Sequence, residues 1–141
     1  MAGALRRSDL QAAAQSKLDD AVLLLAHGRY ANAYYLSGYA IELGLKACIS
    51  RQISAETIPD RNLVRDIFQH ELRRLVGIAG LTGLFKARQD SDPDFAANWA
   101  IVAEWSPEVR YGPVDAGTAE VMLQAVSDNQ SGILPWIRQH W

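Results

Sequence analysis

The stretch GRYANAYYLSGYAIELGLKA, Gly28 to Ala47, carries small residues at Ala33, Ser37, Ala40 and Gly44, followed by Ala47 or Cys48. That spacing of three and four is the period of an α-helix, and a stripe of small side chains lets a neighbouring helix approach closely. The pattern predicts a buried helix from near Tyr30 to about Gln52, with Gly44 serving packing. Glu42 and Lys46 stand four apart in the order that favours an ion pair. With the interspersed tyrosines, these charges mark a buried helix of a soluble protein and not a membrane span.

Working outward, Leu10, Ala14, Leu18, Ala21 and Leu25 repeat the same period, so a first helix is expected from about Arg6 to His27. Gly28 follows as its C′ residue, since glycine enters the left-handed conformation at no steric cost. Downstream, SAETIPDRN is a loop around Pro59. A third helix is expected over about 61–79, with Val64, Ile67, Phe68, Leu72, Leu75 and Val76 on its apolar side. GLTGLFKARQDSDPD reads as a short apolar piece and a polar linker. Asp92 before Pro93 is a cap and first-turn pair opening a fourth helix, which Ser106-Pro107 interrupts. A fifth helix spans about Ala116 to Val126, and ILPWIRQHW closes the chain as a helical turn docked on the body. There is no alternating strand pattern and no internal repeat. The expected fold is all-α, an antiparallel four- to five-helix bundle forming one domain over 1–141, with its core within about 6–127.

Composition narrows the function classes. Of 141 residues 49% are hydrophobic, enough for a core without staples. A net charge of −2 gives no overall basic field for nucleic acid, but the charge is uneven. From Arg61 to Arg88 six cations face two anions, whereas from Asp90 to Glu120 acids dominate and Arg110 is the one cation. Cys48 is the single cysteine, which rules out an internal disulfide and a thiolate-rich metal site and suits a reducing cytoplasm. The opening MAGALRRSDLQ has no continuous apolar run, so no signal peptide is expected. There is no phosphate loop, no HExxH and no Glu-x-x-His pair. His27, His70 and His140 are far apart, so no metal and no cofactor are expected.

Three segments together resemble the HEPN domain family of small helical bundles. They are GRYANAYYLSGYAIELGLKA, HELRRL (His70–Leu75) and WSPEVRYGP (Trp105–Pro113), which occur in family order; with the first helix the likeness spans about Leu10 to Val126. The resemblance implies a four- or five-helix bundle, usually a homodimer. Some members are metal-independent ribonucleases, often toxins, whose site carries an Arg-x(4–6)-His motif assembled across the dimer. Others lack it and serve as partners of minimal nucleotidyltransferases, as nucleotide-binding modules or as scaffolds.

RDIFQH, Arg65 to His70, spells the nuclease motif. Its chemistry is sensible: His70 would act as the base, Arg65 would face the phosphorane charge, and Asp66 would orient the imidazole. On one continuous helix, however, five residues turn about 500°, leaving Arg65 and His70 about 140° apart. The family's ribonucleases also place the motif on the last long helix, and here that helix has neither residue. His70 belongs with HELRRL as well. The leading expectation is therefore a cytoplasmic, dimeric interaction or nucleotide-associated module, within a toxin–antitoxin or nucleotidyltransferase pair. Its ligand-binding candidates are Glu42, Lys46, Arg73, Arg74, Arg110 and Tyr111, with a nucleotide or RNA as ligand and no membrane contact. The alternative is a metal-independent ribonuclease using Arg65, Asp66 and His70.

Overall fold

The computed structural model describes residues 5–141; the first four residues of the opening stretch read for a signal peptide lie outside it. The described residues are all-helical: α1 (Arg7–Ala26), α2 (Tyr30–Ser50), α3 (Arg61–Asp66), α4 (Leu72–Ile78), α5 (Thr82–Ser91), α6 (Pro93–Val102), α7 (Ala116–Ser127) and α8 (Ile133–Arg138). A 3₁₀ turn, Pro107–Tyr111, lies between α6 and α7. No helix among the described residues is long and apolar enough to cross a membrane.

Helices α1 and α2 form a hairpin, and the turn between them is set by Gly28 at φ 73°. The N–H of Gly28 donates to Leu25 O at 3.1 Å and that of Arg29 to Leu24 O at 2.8 Å, the paired closure of a Schellman end. Gly80, also at φ 73°, closes α4 in the same way. Helix α2 is the centre of the molecule: α1, α4, α7, α8 and the 3₁₀ turn all pack on it. Its small stripe is buried as expected, and Gly44 faces Leu134 and Ile137 of α8 so closely that a side chain would press on both. The C-terminal turn is more than docked. Ile133, Leu134 and Ile137 are fully buried in the main core. There Phe85, Phe95, Trp99 and Trp136 form a cluster of tilted and edge-to-face rings.

Two expectations are corrected. The polar linker is the helix α5, anchored by Phe85 (4% exposed) and closed at its end by Arg88 on Asp92 at 3.0 Å. The third helix over 61–79 is instead two short helices. α3 ends at Asp66, Ile67 and Phe68 turn, and Gln69 to Glu71 are non-helical before α4 begins. Its supposed apolar side is not one stripe either, since Val64 is 43% and Phe68 73% exposed. Within the break His70 bonds Glu42 of α2, a tertiary contact that the helical spacing does not contain. With these two changes, and with the C-terminal turn formed as α8, the described residues make eight α-helices rather than four or five.

Candidate functional site

The break between α3 and α4 places His70 beside α2. Its Nδ1 lies 3.0 Å from both carboxylate oxygens of Glu42, 28 residues earlier in the chain. Glu42 is 3% exposed, and Lys46 donates to its Oε2 at 3.1 Å from the next turn of the helix. The expected ion pair of α2 is thus a buried one, with an imidazole added from outside the helix. The His70 side chain is 57% exposed, so the ring is held at one nitrogen and open at the other side.

On α2, Tyr35, Tyr39, Glu42 and Lys46 stand at spacings of four, three and four, one face roughly opposite the small stripe. This face meets the segment after α6. Trp105 donates its indole N–H to Tyr35 O at 3.1 Å and stacks on the Tyr35 ring at 6.0 Å. The indole lies flat against Gly38, where any side chain would collide with it. Pro107, Glu108 and Arg110 of the 3₁₀ turn complete a cleft of about 270 Å³ with Tyr35, Tyr39, Glu42, His70 and Trp105. That size is near the lower end for small-molecule sites.

The charges of the cleft are arranged, not merely close. The Arg110 guanidinium donates to Tyr111 Oη at 2.8 Å, and this bond, with help from the Tyr35 hydroxyl, holds it protonated more firmly than usual. The Ser106 hydroxyl keeps Glu108 below the usual carboxylate range, with smaller contributions from Arg110 and His70. Burial, then the charge of Glu42, pushes the Tyr39 phenol up, so it remains a donor. The result is an aromatic wall, a cation that suits an anionic group, and an imidazole oriented by a buried carboxylate, the device by which proteins set histidine tautomers.

Of the residues nominated from sequence, Glu42, Lys46, His70 and Arg110 come together, with Tyr111 supporting Arg110. Arg65 does not join them. It is 75% exposed on its side chain and engages Asn62 at 3.3 Å and Asp66 at 3.6 Å. Asp66 is not the group that orients His70; Glu42 is, because the chain leaves the helix between Asp66 and His70. Arg73 and Arg74 are exposed on α4, and Arg73 borders a separate open groove of about 620 Å³ with Phe85, Lys86 and Trp99. The basic run 61–88 is partly neutralised, since Lys86 pairs with Asp90 at 2.8 Å and Arg88 with Asp92. Tyr35, Tyr39, Trp105 and Glu108 were missed as site residues. The helical spacing of Tyr35 and Tyr39 to Glu42 was the available signal. Among the described residues no three His, Cys, Asp or Glu side chains gather as a metal site.

Comparisons with protein-family models, with characterised proteins and with solved structures found no match to the chain.

Proposed function

We propose that the protein is a HEPN-type helical module that holds a nucleotide-class ligand in the Glu42–His70–Arg110 cleft. It works as a cytoplasmic homodimer within a nucleotidyltransferase or toxin–antitoxin pair. One observation carries this reading. The three segments of the resemblance, far apart in sequence, each contribute a charged or titratable residue to the same cleft: Glu42, His70 and Arg110. The half-buried rings of Tyr35 and Tyr39, backed by the buried Trp105, supply a surface for a base, and Arg110 supplies a partner for phosphate. The test is calorimetric titration with adenosine monophosphate, beside a His70→Ala variant. Saturable binding that the variant weakens supports the reading; no heat at millimolar nucleotide contradicts it.

A second reading, the metal-independent ribonuclease, is favoured by the Glu42–His70 pair, since a carboxylate-oriented histidine is a general-base arrangement. Its cation would be Arg110, not Arg65. RNA incubated in EDTA with the wild type and His70→Ala separates the two: cleavage lost in the variant supports the nuclease, and intact RNA in both supports the binding module.

A further inference from the structure

The hydrogen bonding of His70 restricts what the cleft can hold, given the reading above that it is a ligand site. An ionised carboxylate only accepts hydrogen bonds. The Glu42 side chain is 5% exposed, has the Lys46 ammonium 3.1 Å from one oxygen, and has His70 Nδ1 at 3.0 Å from both. Nδ1 must therefore carry a hydrogen. In a neutral imidazole the other nitrogen then has a lone pair and no hydrogen. The ring, 57% exposed, presents that acceptor on the side away from Glu42. Arg110 on the 3₁₀ turn has only donors to offer.

We infer that Glu42, braced by Lys46, fixes His70 as a hydrogen-bond acceptor at Nε2, so that the cleft selects an anionic ligand bearing a hydroxyl donor. Within the nucleotide class this means ribonucleotides over their dideoxy counterparts. Glu42 is a positioning residue: it acts on the ligand through the tautomer of His70. Lys46 acts one step further back, by bonding the carboxylate at 3.1 Å and so holding it in place along α2.

Two measurements on the intact protein test this. The first is the nitrogen-15 spectrum of the His70 ring at about pH 8.5, about two units above the ordinary histidine value. The expected spectrum shows a protonated Nδ1 and a bare Nε2, and Glu42→Gln shifts the population toward Nε2–H, the form an unrestrained histidine side chain prefers in water. A bare Nδ1 in the wild type overturns the inference without any ligand being involved. The second is a comparison of adenosine monophosphate with its 2′,3′-dideoxy analogue. The analogue is expected to bind about tenfold more weakly, the effect of one neutral hydrogen bond. Equal affinity overturns the selection of a hydroxyl while leaving the nucleotide site standing. Binding of neither nucleotide overturns the nucleotide site itself, and the inferred selectivity with it.

Discussion

His70 Nδ1 sits 3.0 Å from each carboxylate oxygen of Glu42, so a side chain from the break between two short helices completes the bonding of a buried acid on the central helix. The contact holds the break between α3 and α4 on α2, sets how the ring is presented, and brings His70 into the cleft.

Removing Glu42 tests the structural half of that relationship. Glu42→Ala leaves Lys46, 14% exposed on its side chain, without its partner. It is expected to lower unfolding stability by about 1–3 kcal/mol in urea titration. Glu42→Gln keeps the shape and should cost less. Equal stability for all three proteins would show that the buried triad contributes nothing.

The cleft wall depends on a glycine. Gly38→Ala places a methyl group against the Trp105 indole, a collision with an aromatic ring that is 3% exposed. The expected cost is about 1–3 kcal/mol, with a shift in tryptophan fluorescence as the indole moves. Gly83→Ala on α5, where a methyl group meets nothing within 4 Å, should instead stabilise the protein by about 0.4–1 kcal/mol. Opposite signs at the two sites in thermal melts are the check.

Cys48 should be inert in the folded protein. Burial pushes its thiol up to about 11, only partly offset by Arg51. A thiol raised by folding contributes stability that is whole below its ordinary range and is lost as pH rises toward 11. Labelling with a thiol reagent at neutral pH should therefore be slow and should accelerate with urea in step with unfolding. Rapid stoichiometric labelling of the native protein would contradict the burial.

Asp92 links α5, α6 and the loop before α8. Its oxygens accept from Phe95 N–H at 3.1 Å, Ser131 Oγ–H at 2.9 Å and Arg88. The Phe95 N–H, then the Ser131 hydroxyl and Arg88, hold the carboxyl below its usual range. A carboxyl lowered by folding contributes stability that is present above its ordinary value and is lost as pH falls through the folded one. The melting temperature should drop on acidification from neutral pH to about 2.5, and Asp92→Asn should narrow that drop.

Much of the fold was legible in the sequence, for identifiable reasons. The small stripe of α2, the glycine at 28 and the Asp92-Pro93 pair each have one physical meaning, and each took it. The break at 67–71 was not legible. It contains no glycine or proline, and the apolar spacing runs straight through it. Past the end of α3 the chain is held by His70 on Glu42 of α2, a contact that linear spacing does not contain. α5 was hidden because Phe85 is its one buried residue and the rest reads as solvated. The site was legible residue by residue but not as a set. Spacing offers Glu42, Lys46, His70 and Arg110 one at a time, and it sets His70 only beside its sequence neighbours, within RDIFQH on one side and HELRRL on the other. Its partner lies 28 residues away.

Under the proposed function the cation of this cleft is Arg110, whereas Arg65 lies on the surface. Binding of adenosine monophosphate measured side by side for wild type, Arg110→Ala and Arg65→Ala tests this assignment most directly. Loss of a charged contact to phosphate predicts at least about tenfold weaker binding for Arg110→Ala, with Arg65→Ala matching the wild type. Undiminished binding in Arg110→Ala with loss in Arg65→Ala would contradict the assignment of Arg110.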